Sequence, residues 1–180
     1  MLLLLLASYR SSGVGLLCLI KMKTYVITLS QFFPTTHKRA GEPTEFKHKF
    51  IAAVNKWEDH WLKLHTIRAN YPLWCERFNE IYAGKACLSV RQWSGKPYCS
   101  KQIELARLTR EDGIGIQKLE FTADRDGMYS FNMFDIDGRY STKEILAQND
   151  GLSLDDWMEW FRKYDLSQPL AVIHFTSFRY

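Results

Sequence analysis

The sequence predicts an α+β fold, with a small β-sheet or barrel at the centre and several helices at its periphery. Short apolar runs that alternate like strands are mixed with segments of helical periodicity that follow capping residues. No linker, repeat or low-complexity stretch divides the 180 residues. We therefore expect a single domain over residues 22–180.

Composition limits the classes of function. Hydrophobic residues make up 46% of the chain and charged residues 24%, which is typical of a globular protein. The net charge is +4, and Arg10 and Lys21 supply two of these charges ahead of the first strand. A charge-driven grip on long duplex nucleic acid needs a more basic domain. This net charge is still compatible with a local basic patch on the surface.

Residues 1–21 are predicted to be an N-terminal extension outside the fold. Its two apolar pieces, Met1–Leu6 and Val14–Ile20, are interrupted by polar residues. Each is far shorter than the about 18 residues that span a bilayer. Because Met22 opens directly onto a strand, a mis-assigned start is one explanation, and a membrane anchor is the alternative. We expect a cytoplasmic protein without a membrane partner.

No metal or cofactor is expected. The four cysteines form no C-x-x-C pair, and no histidine stands at zinc-finger spacing from them. Asp135–Gly138 matches part of a calcium loop but lacks the terminal glutamate, which indicates an ordinary turn. In a cytoplasmic chain we expect the four cysteines to be free thiols that are mostly buried.

The first half of the chain is predicted to contain one strand and two helices. Thr24–Leu29 alternates like a strand, and a polar loop runs from Pro34 to Pro43. Thr44 is the predicted cap of a helix whose apolar residues recur at helical spacing: Phe46, Phe50, Ile51 and Val54. A second helix is predicted from Pro72 to Tyr82, with Gly84 just beyond its end.

The second half is predicted to contain most of the strands. The predicted strands are Ala86–Trp93, Tyr98–Leu108, Ile114–Thr122, Met128–Phe134 and Leu170–Phe178, with a turn at Ser94–Pro97. A capping box formed by Ser141 and Glu144 predicts a short helix that ends at Gly151. Ser153 is the predicted cap of a further helix.

The segment Lys63–Arg68 concentrates polar side chains that can do chemistry. The hydroxyl of Thr66 needs a neighbouring base to act as a nucleophile, and Lys63 can be that base if burial or a nearby cation lowers its pKa. Arg68 can bind a phosphate, a carbonyl or a developing oxyanion. The alternative is a solvated lysine and arginine beside an ordinary strand threonine.

The pattern K-x-x-T-x-R over residues 63–68, followed by a helix ending before Gly84 and the strand Ala86–Arg91, resembles the ASCH superfamily. The acidic turn Leu146–Ser153, the next helix and the strand Ala171–Phe175 are similar to the end of that family's fold. The resemblance runs from Thr24 to Tyr180. It implies a PUA-like fold, a small β-barrel with several peripheral helices.

The resemblance also implies a function. Many ASCH proteins are predicted to bind RNA or a modified nucleoside in the cleft beside this motif. A small subgroup hydrolyses the amide of N4-acetylcytidine with a lysine, a threonine and a glutamate. Lys63 and Thr66 match the first two, whereas Asp150 stands at the glutamate position with a shorter side chain. Binding is therefore the leading prediction, and an amidohydrolase with these three as catalytic residues is the alternative. A protein-interaction domain without a ligand is the third class.

Five further residues are predicted to contact the ligand besides Arg68. His65 lies inside the motif, and the hairpin around Ser94–Pro97 mixes cations with aromatic rings as nucleic-acid surfaces do. The hairpin residues concerned are Trp93, Lys96, Tyr98 and Lys101. A solvated hairpin with inward aromatic rings is the alternative. The predicted partner is RNA or a modified nucleoside.

Overall fold

The structure, a computed structural model, describes residues 22–58 and 61–180, so the predictions for residues 1–21 lie outside it. The described residues form an α+β fold with seven strands in two sheets and four α-helices. In chain order these are β1 (Lys23–Leu29), α1 (Phe46–Val54), β2 (His65–Arg68), α2 (Tyr71–Tyr82), β3 (Ala86–Trp93), β4 (Gln102–Leu108), β5 (Gly115–Ala123), β6 (Tyr129–Ile136), α3 (Lys143–Asn149), α4 (Leu154–Phe161) and β7 (Leu170–His174).

The first sheet has three strands in the order β1-β3-β4. β1 and β3 are parallel, and the chain between them, which includes α1, β2 and α2, supplies the crossover that parallel pairing requires. β3 and β4 form an antiparallel hairpin with an irregularity between Val90 and Arg91. As the central strand, β3 is almost entirely buried.

The second sheet has four antiparallel strands in the order β2-β7-β5-β6. All five residues of β7 are buried, because the strand is paired on both edges and covered on both faces. This explains why Leu170–His174 is a continuous apolar run followed by a histidine rather than an alternating pattern.

The two sheets approach each other at their edge strands β1 and β2. The side chain of Arg68 on β2 donates a hydrogen bond to the backbone carbonyl of Thr28 on β1, with a distance of 2.9 Å. Among the described strands, no backbone ladder joins the sheets into a closed barrel. The α+β class is confirmed, and the contact between the two edge strands is made by a side chain.

Aromatic rings fill the core between the sheets and the helices. Phe50 of α1 lies edge-on to Phe175 just after β7, with ring centroids 4.9 Å apart, and neither ring has significant exposure. Phe78 of α2 and Trp157 of α4 are also fully buried. Burial of rings of this size is the main stabilising contribution available to such a fold.

Several predicted boundaries differ from those of the structure, three of them because turns and caps lie elsewhere. β4 begins at Gln102, not Tyr98: Ser94 N–H donates to the carbonyl of Lys101, and Tyr98 has a φ of 62°, so residues 94–101 form one wide turn. β7 ends at His174, four residues before the predicted end. The cap of α3 is Thr142 rather than Ser141.

Within residues 22–58 and 61–180, none of the helices combines the length and the apolar character needed to cross a membrane.

Candidate functional site

A small cavity lies at the seam between the edge strands β1 and β2. Its volume is about 60 Å³. It is lined by the four polar residues of the predicted cleft, Lys63, Thr66, Arg68 and Asp150, together with aromatic rings that include Phe46 and Trp160. We call this cavity the seam cleft. The four predicted residues therefore lie together; their roles remain predictions.

Strand β2 places two of the four side chains. Thr66 and Arg68 are two residues apart, so the alternation of a strand directs both side chains to the same face. Lys63 precedes the strand in an irregular segment, and this lets a residue three positions before Thr66 reach the same cavity. Its backbone N–H donates to the carbonyl of Lys49 in α1.

The end of helix α3 places Asp150. Leu152 N–H bonds to the carbonyl of Ala147 and Gly151 N–H to that of Gln148, both at 3.0 Å, which is the Schellman arrangement for ending a helix. Gly151 has a φ of 79°, in the left-handed region that favours glycine. A Cβ added at Gly151 would lie 3.3 Å from the Cβ of Lys63, so the glycine also permits the close approach of the two segments.

Lys63 and Asp150 form a buried pair. The Nζ of Lys63 lies 2.5 Å from Oδ1 of Asp150 and 2.6 Å from the backbone oxygen of the same residue. The Nζ also lies 4.0 Å from the centre of the Phe46 ring. Both side chains of the pair are almost fully buried.

Burial changes the protonation of this pair. Desolvation lowers the pKa of Lys63 from 10.5 to about 8, with Arg68 and Lys49 acting in the same direction and Asp150 opposing them. Desolvation also raises the pKa of Asp150, against the attraction of Lys63. With a pKa of about 8, roughly a tenth of Lys63 is neutral at pH 7, which is within the range of a useful general base.

The bonds of Lys63 leave one position on its nitrogen. Two donated hydrogen bonds, both to Asp150, occupy two of the three tetrahedral positions. In the neutral amine both N–H groups stay bonded, and the remaining position holds a lone pair that can accept a proton. Asp150 thus orients the amine in addition to pairing with the ammonium.

Arg68 keeps donors for a ligand. Its guanidinium bonds to the carbonyl of Thr28 at 2.9 Å and more weakly to that of Ile67 at 3.4 Å. In the described part of the chain it forms no salt bridge, so further N–H groups remain available in the half-buried cleft. Burial lowers the pKa of Arg68, yet an arginine remains charged.

His65 does not share the cleft with its neighbours in the motif. Strand alternation turns its ring to the opposite face, where Nε2 bonds to the Tyr180 hydroxyl at 2.8 Å. The ring of His174 lies 5.6 Å away, and both rings are fully buried. The prediction that His65 contacts a ligand in the cleft is not supported by this position.

The hairpin residues lie outside the cleft. Trp93 is half-buried at the end of β3 and packs against Tyr98 with ring centroids 5.3 Å apart. Lys96, Tyr98 and Lys101 are exposed in the turn between β3 and β4. The structure therefore separates these four predicted ligand contacts from the seam cleft.

Two aromatic residues of the cleft are not among the predicted site residues. Phe46 belongs to the apolar face of its helix and Trp160 lies in the helix that Ser153 caps, and in the structure both line the cavity, with ring centroids 5.6 Å apart. Their helical spacing is the same whether a ring faces the core or a cleft, so local pattern carried no signal for this role.

The volume of the cleft limits what enters it. Typical pockets for small ligands have volumes of roughly 300 Å³ or more. The seam cleft, with its volume of about 60 Å³, can hold the edge of a base or an acyl group.

The described residues contain no group of three His, Cys, Asp or Glu side chains that could hold a metal ion.

Comparisons with known proteins add no relative: no family model matches the chain, no curated protein matches it, and no solved structure matches it. The class that the structure itself defines is an α+β domain with a polar cleft between the edges of two sheets.

Proposed function

We propose that this protein is a PUA-like domain of the ASCH type that binds RNA or a modified nucleoside in the seam cleft. The observation that carries the proposal is the convergence of Lys63, Thr66, Arg68 and Asp150 on one cavity. The contact between Arg68 and Thr28 also supports a relation to the PUA-like barrel, because it links the two strand edges that closure would join.

The chemistry of the cleft suits the edge of a pyrimidine base. Arg68 donates to a ring carbonyl or ring nitrogen. Asp150 accepts from Lys63 through Oδ1 and also interacts with the Trp157 indole, and its carboxylate can accept a further hydrogen bond from an exocyclic amino group of the ligand. Phe46 and Trp160 offer ring surfaces against which a base packs. Cytidine and its N4-modified forms carry this combination of donors and acceptors.

Calorimetric titration with cytidine and N4-acetylcytidine tests the binding function. We expect saturable binding to the wild-type protein. Arg68→Ala should weaken it by about 1.5–3 kcal/mol, the range for a hydrogen bond to a charged group, and Thr66→Ala by about 1 kcal/mol. Arg125→Ala, in the exposed turn between β5 and β6, is the control for lost charge. Wild-type protein that binds neither nucleoside would leave the protein-interaction class, and an Arg68→Ala variant that binds as well as Arg125→Ala would show that binding does not use Arg68 in the seam cleft.

The second candidate is hydrolysis of the N4-acetyl amide, favoured by the lowered pKa of Lys63 beside Thr66. Thr66 Oγ attacks the acetyl carbonyl as neutral Lys63 takes the hydroxyl proton, and Arg68 stabilises the oxyanion. The C–N bond then breaks, the proton passes from Lys63 to the departing amine, and water cleaves the acyl-threonine to acetate.

Incubation with N4-acetylcytidine separates the two candidates. A hydrolase releases cytidine and acetate, and Thr66→Ala abolishes turnover while binding survives, because the hydroxyl acts chiefly in the transition state. Asp150→Glu restores the carboxylate of the catalytic subgroup and is expected to raise a weak activity. If wild-type and Asp150→Glu proteins bind the nucleoside but leave it intact, the protein is a binder only.

A further inference from the structure

A second, larger concavity lies beside the seam cleft. It has a volume of about 460 Å³ and lies between the loop of residues 30–41 and the turn of residues 93–101. Its walls are mainly aromatic rings and prolines, contributed by Phe32, Phe33, Pro34, Trp93 and Pro97. We call it the aromatic groove. Ser30 lines both the groove and the seam cleft, so the two lie next to each other.

The loop of residues 30–41, which forms one wall of the aromatic groove, is fixed to helix α4. Arg39 forms a salt bridge with Asp156 of α4 at 2.7 Å, and the buried ring of His37 bonds to the backbone oxygen of Asp156 at 3.1 Å. His37 also stacks on Phe33, with ring centroids 4.5 Å apart. A wall fixed in this way loses little conformational entropy when a ligand binds.

Charge identifies the kind of ligand that suits the groove. The two segments that border it, residues 30–41 and 93–101, contain no acidic residue. They carry the exposed cations Lys38, Lys96 and Lys101, for which the described residues provide no ion pair. Exposed rings next to unpaired cations are the combination that binds single-stranded nucleic acid, since rings stack on bases and cations contact phosphates.

The size of the seam cleft points in the same direction. A cavity of about 60 Å³ admits a base edge but not the sugar and phosphate attached to it. Those groups must lie at the mouth of the cleft. Ser30, which lines both cavities, is the point at which the cleft lies next to the groove, and the exposed ring of Phe32 comes two residues later.

We propose that the aromatic groove binds the nucleotides that flank the base in the seam cleft, so that the ligand is single-stranded RNA of two or more nucleotides. This inference rests on the proposed function of the cleft. Phe32 and Trp93 stack on flanking bases, Tyr98 extends this surface, and Lys96 and Lys101 contact phosphates. A duplex does not fit, because its bases are paired and stacked on one another.

Fluorescence anisotropy with a labelled cytidine hexanucleotide, compared with unlabelled cytidine monophosphate and a hairpin duplex as competitors, tests the inference. We expect the hexanucleotide to bind at least tenfold more tightly than the mononucleotide and the duplex to compete poorly. Phe32→Ala and Tyr98→Ala should each weaken hexanucleotide binding about tenfold and leave mononucleotide binding unchanged. Tyr140→Ala is the matched control, since Tyr140 is 93% exposed and Tyr98 90%.

Salt dependence tests the role of the lysines. The double variant Lys96→Ala/Lys101→Ala should show a slope of log affinity against log salt concentration that is shallower by about 1.4. The double variant Lys85→Ala/Arg125→Ala is the control for lost charge, because neither residue borders the groove. Lys85 precedes the first residue of β3, at the end opposite to Trp93, and Arg125 lies in the β5–β6 turn. Equal slopes for the two double variants would overturn the inference.

The failure of this inference is distinguishable from that of the proposed function. If mononucleotide and hexanucleotide bind equally well, or if Phe32→Ala and Tyr98→Ala match Tyr140→Ala, the groove plays no part and the cleft function stands. If cytidine, N4-acetylcytidine and the hexanucleotide all fail to bind, both proposals fall. A duplex that competes as well as the single strand would also overturn the proposal that the groove binds single-stranded RNA.

Discussion

The side-chain nitrogen of Lys63 lies 2.5 Å from a carboxylate oxygen of Asp150, and 87 residues separate the two along the chain. The contact joins the segment before β2 to the end of α3. Leu64 N–H, which donates to the carbonyl of Asn149 at 2.8 Å, holds the same two segments together through the backbone. The pair therefore belongs both to the packing of the domain and to its cleft.

Breaking this pair on one side should destabilise the protein strongly. Asp150→Ala leaves the Lys63 ammonium buried without its counter-charge, and we expect the free energy of unfolding to fall by about 3–5 kcal/mol. Lys63→Met leaves the carboxylate unpaired and should have a comparable effect. Urea unfolding at pH 7 measures both, with Glu80→Ala in the exposed Lys23–Glu80 pair as a control that should change little.

The double variant Lys63→Met/Asp150→Ala checks the cause. It leaves neither charge unpaired, so its loss should be clearly smaller than the sum of the two single losses. Losses that add up would mean that the two residues stabilise the fold independently.

Activity, if the protein is a hydrolase, should rise with pH to a plateau. The reactive form of Lys63 is the neutral amine, whose fraction falls about tenfold for each pH unit below its pKa of about 8. We therefore expect kcat/KM for N4-acetylcytidine to increase from pH 6 and to level off above pH 8. Lys63→Arg should be inactive throughout, since arginine does not become neutral. A rate that falls with rising pH would contradict Lys63 as the base.

Gly151→Ala should disturb the cleft as well as the fold. The left-handed backbone at φ 79° strains any other residue by about 1–2 kcal/mol, and the new Cβ would also press on Lys63. Gly127→Ala is a close control, because Gly127 has a φ of 78° and open space around it. We expect thermal unfolding to show the larger loss for Gly151→Ala, and ligand titration to show a loss for that variant alone. Equal effects of the two variants would exclude the crowding of Lys63.

His174 should make the protein less stable in mild acid. Its ring is buried against His65 and Tyr180 and neither nitrogen has a hydrogen-bond partner, and burial with the nearby charge of Arg179 lowers its pKa to about 3. Below pH 6.5 the unfolded chain binds a proton that the folded chain excludes, so stability falls as the pH falls from 6.5 towards 3. The loss from this residue between pH 8 and pH 5 is about 2 kcal/mol.

His174→Leu removes that titration and should reduce the difference in unfolding free energy between pH 8 and pH 5 by about this amount. Chemical denaturation at the two pH values provides the measurement. An unchanged difference in the variant would show that the ring is not held neutral by the fold. His65 remains in both proteins; burial is the main cause that lowers its pKa and persists in the variant, whereas the smaller contribution of His174 is lost.

Elements with local signals were predictable from the sequence. The bounds of β3 match the predicted strand Ala86–Trp93, and Ser153 caps α4 as predicted, accepting from Asp156 N–H at 3.2 Å. In both cases the deciding interactions lie within a few residues of the chain.

The predicted start of β4 is wrong because contacts outside the local pattern decide it. The local pattern predicts the strand directly after the Ser94–Pro97 turn, but the bond between Ser94 and Lys101 and the positive φ of Tyr98 keep residues 98–101 in the turn.

The cleft shows the same division. The pattern of residue types singled out Lys63, Thr66 and Arg68, and only the resemblance to a family connected them with Asp150. Whether Lys63 reached the face of Thr66 depended on its lying outside β2, which the three-residue spacing left open. Phe46 and Trp160 carried no local signal at all, since the packing of α1 and α4 decides which side of each ring faces the cavity.

The sequence by itself thus determined the α+β class, most of the helices and strands, and the residue types that chemistry at the cleft requires. Only the tertiary structure decided that β1 and β2 are sheet edges linked by Arg68, that Lys63 bonds directly to Asp150, and that His65 turns away from the cleft. The physical reason is range. Capping, periodicity and turn formation act over a few residues, whereas these contacts depend on how distant segments pack together.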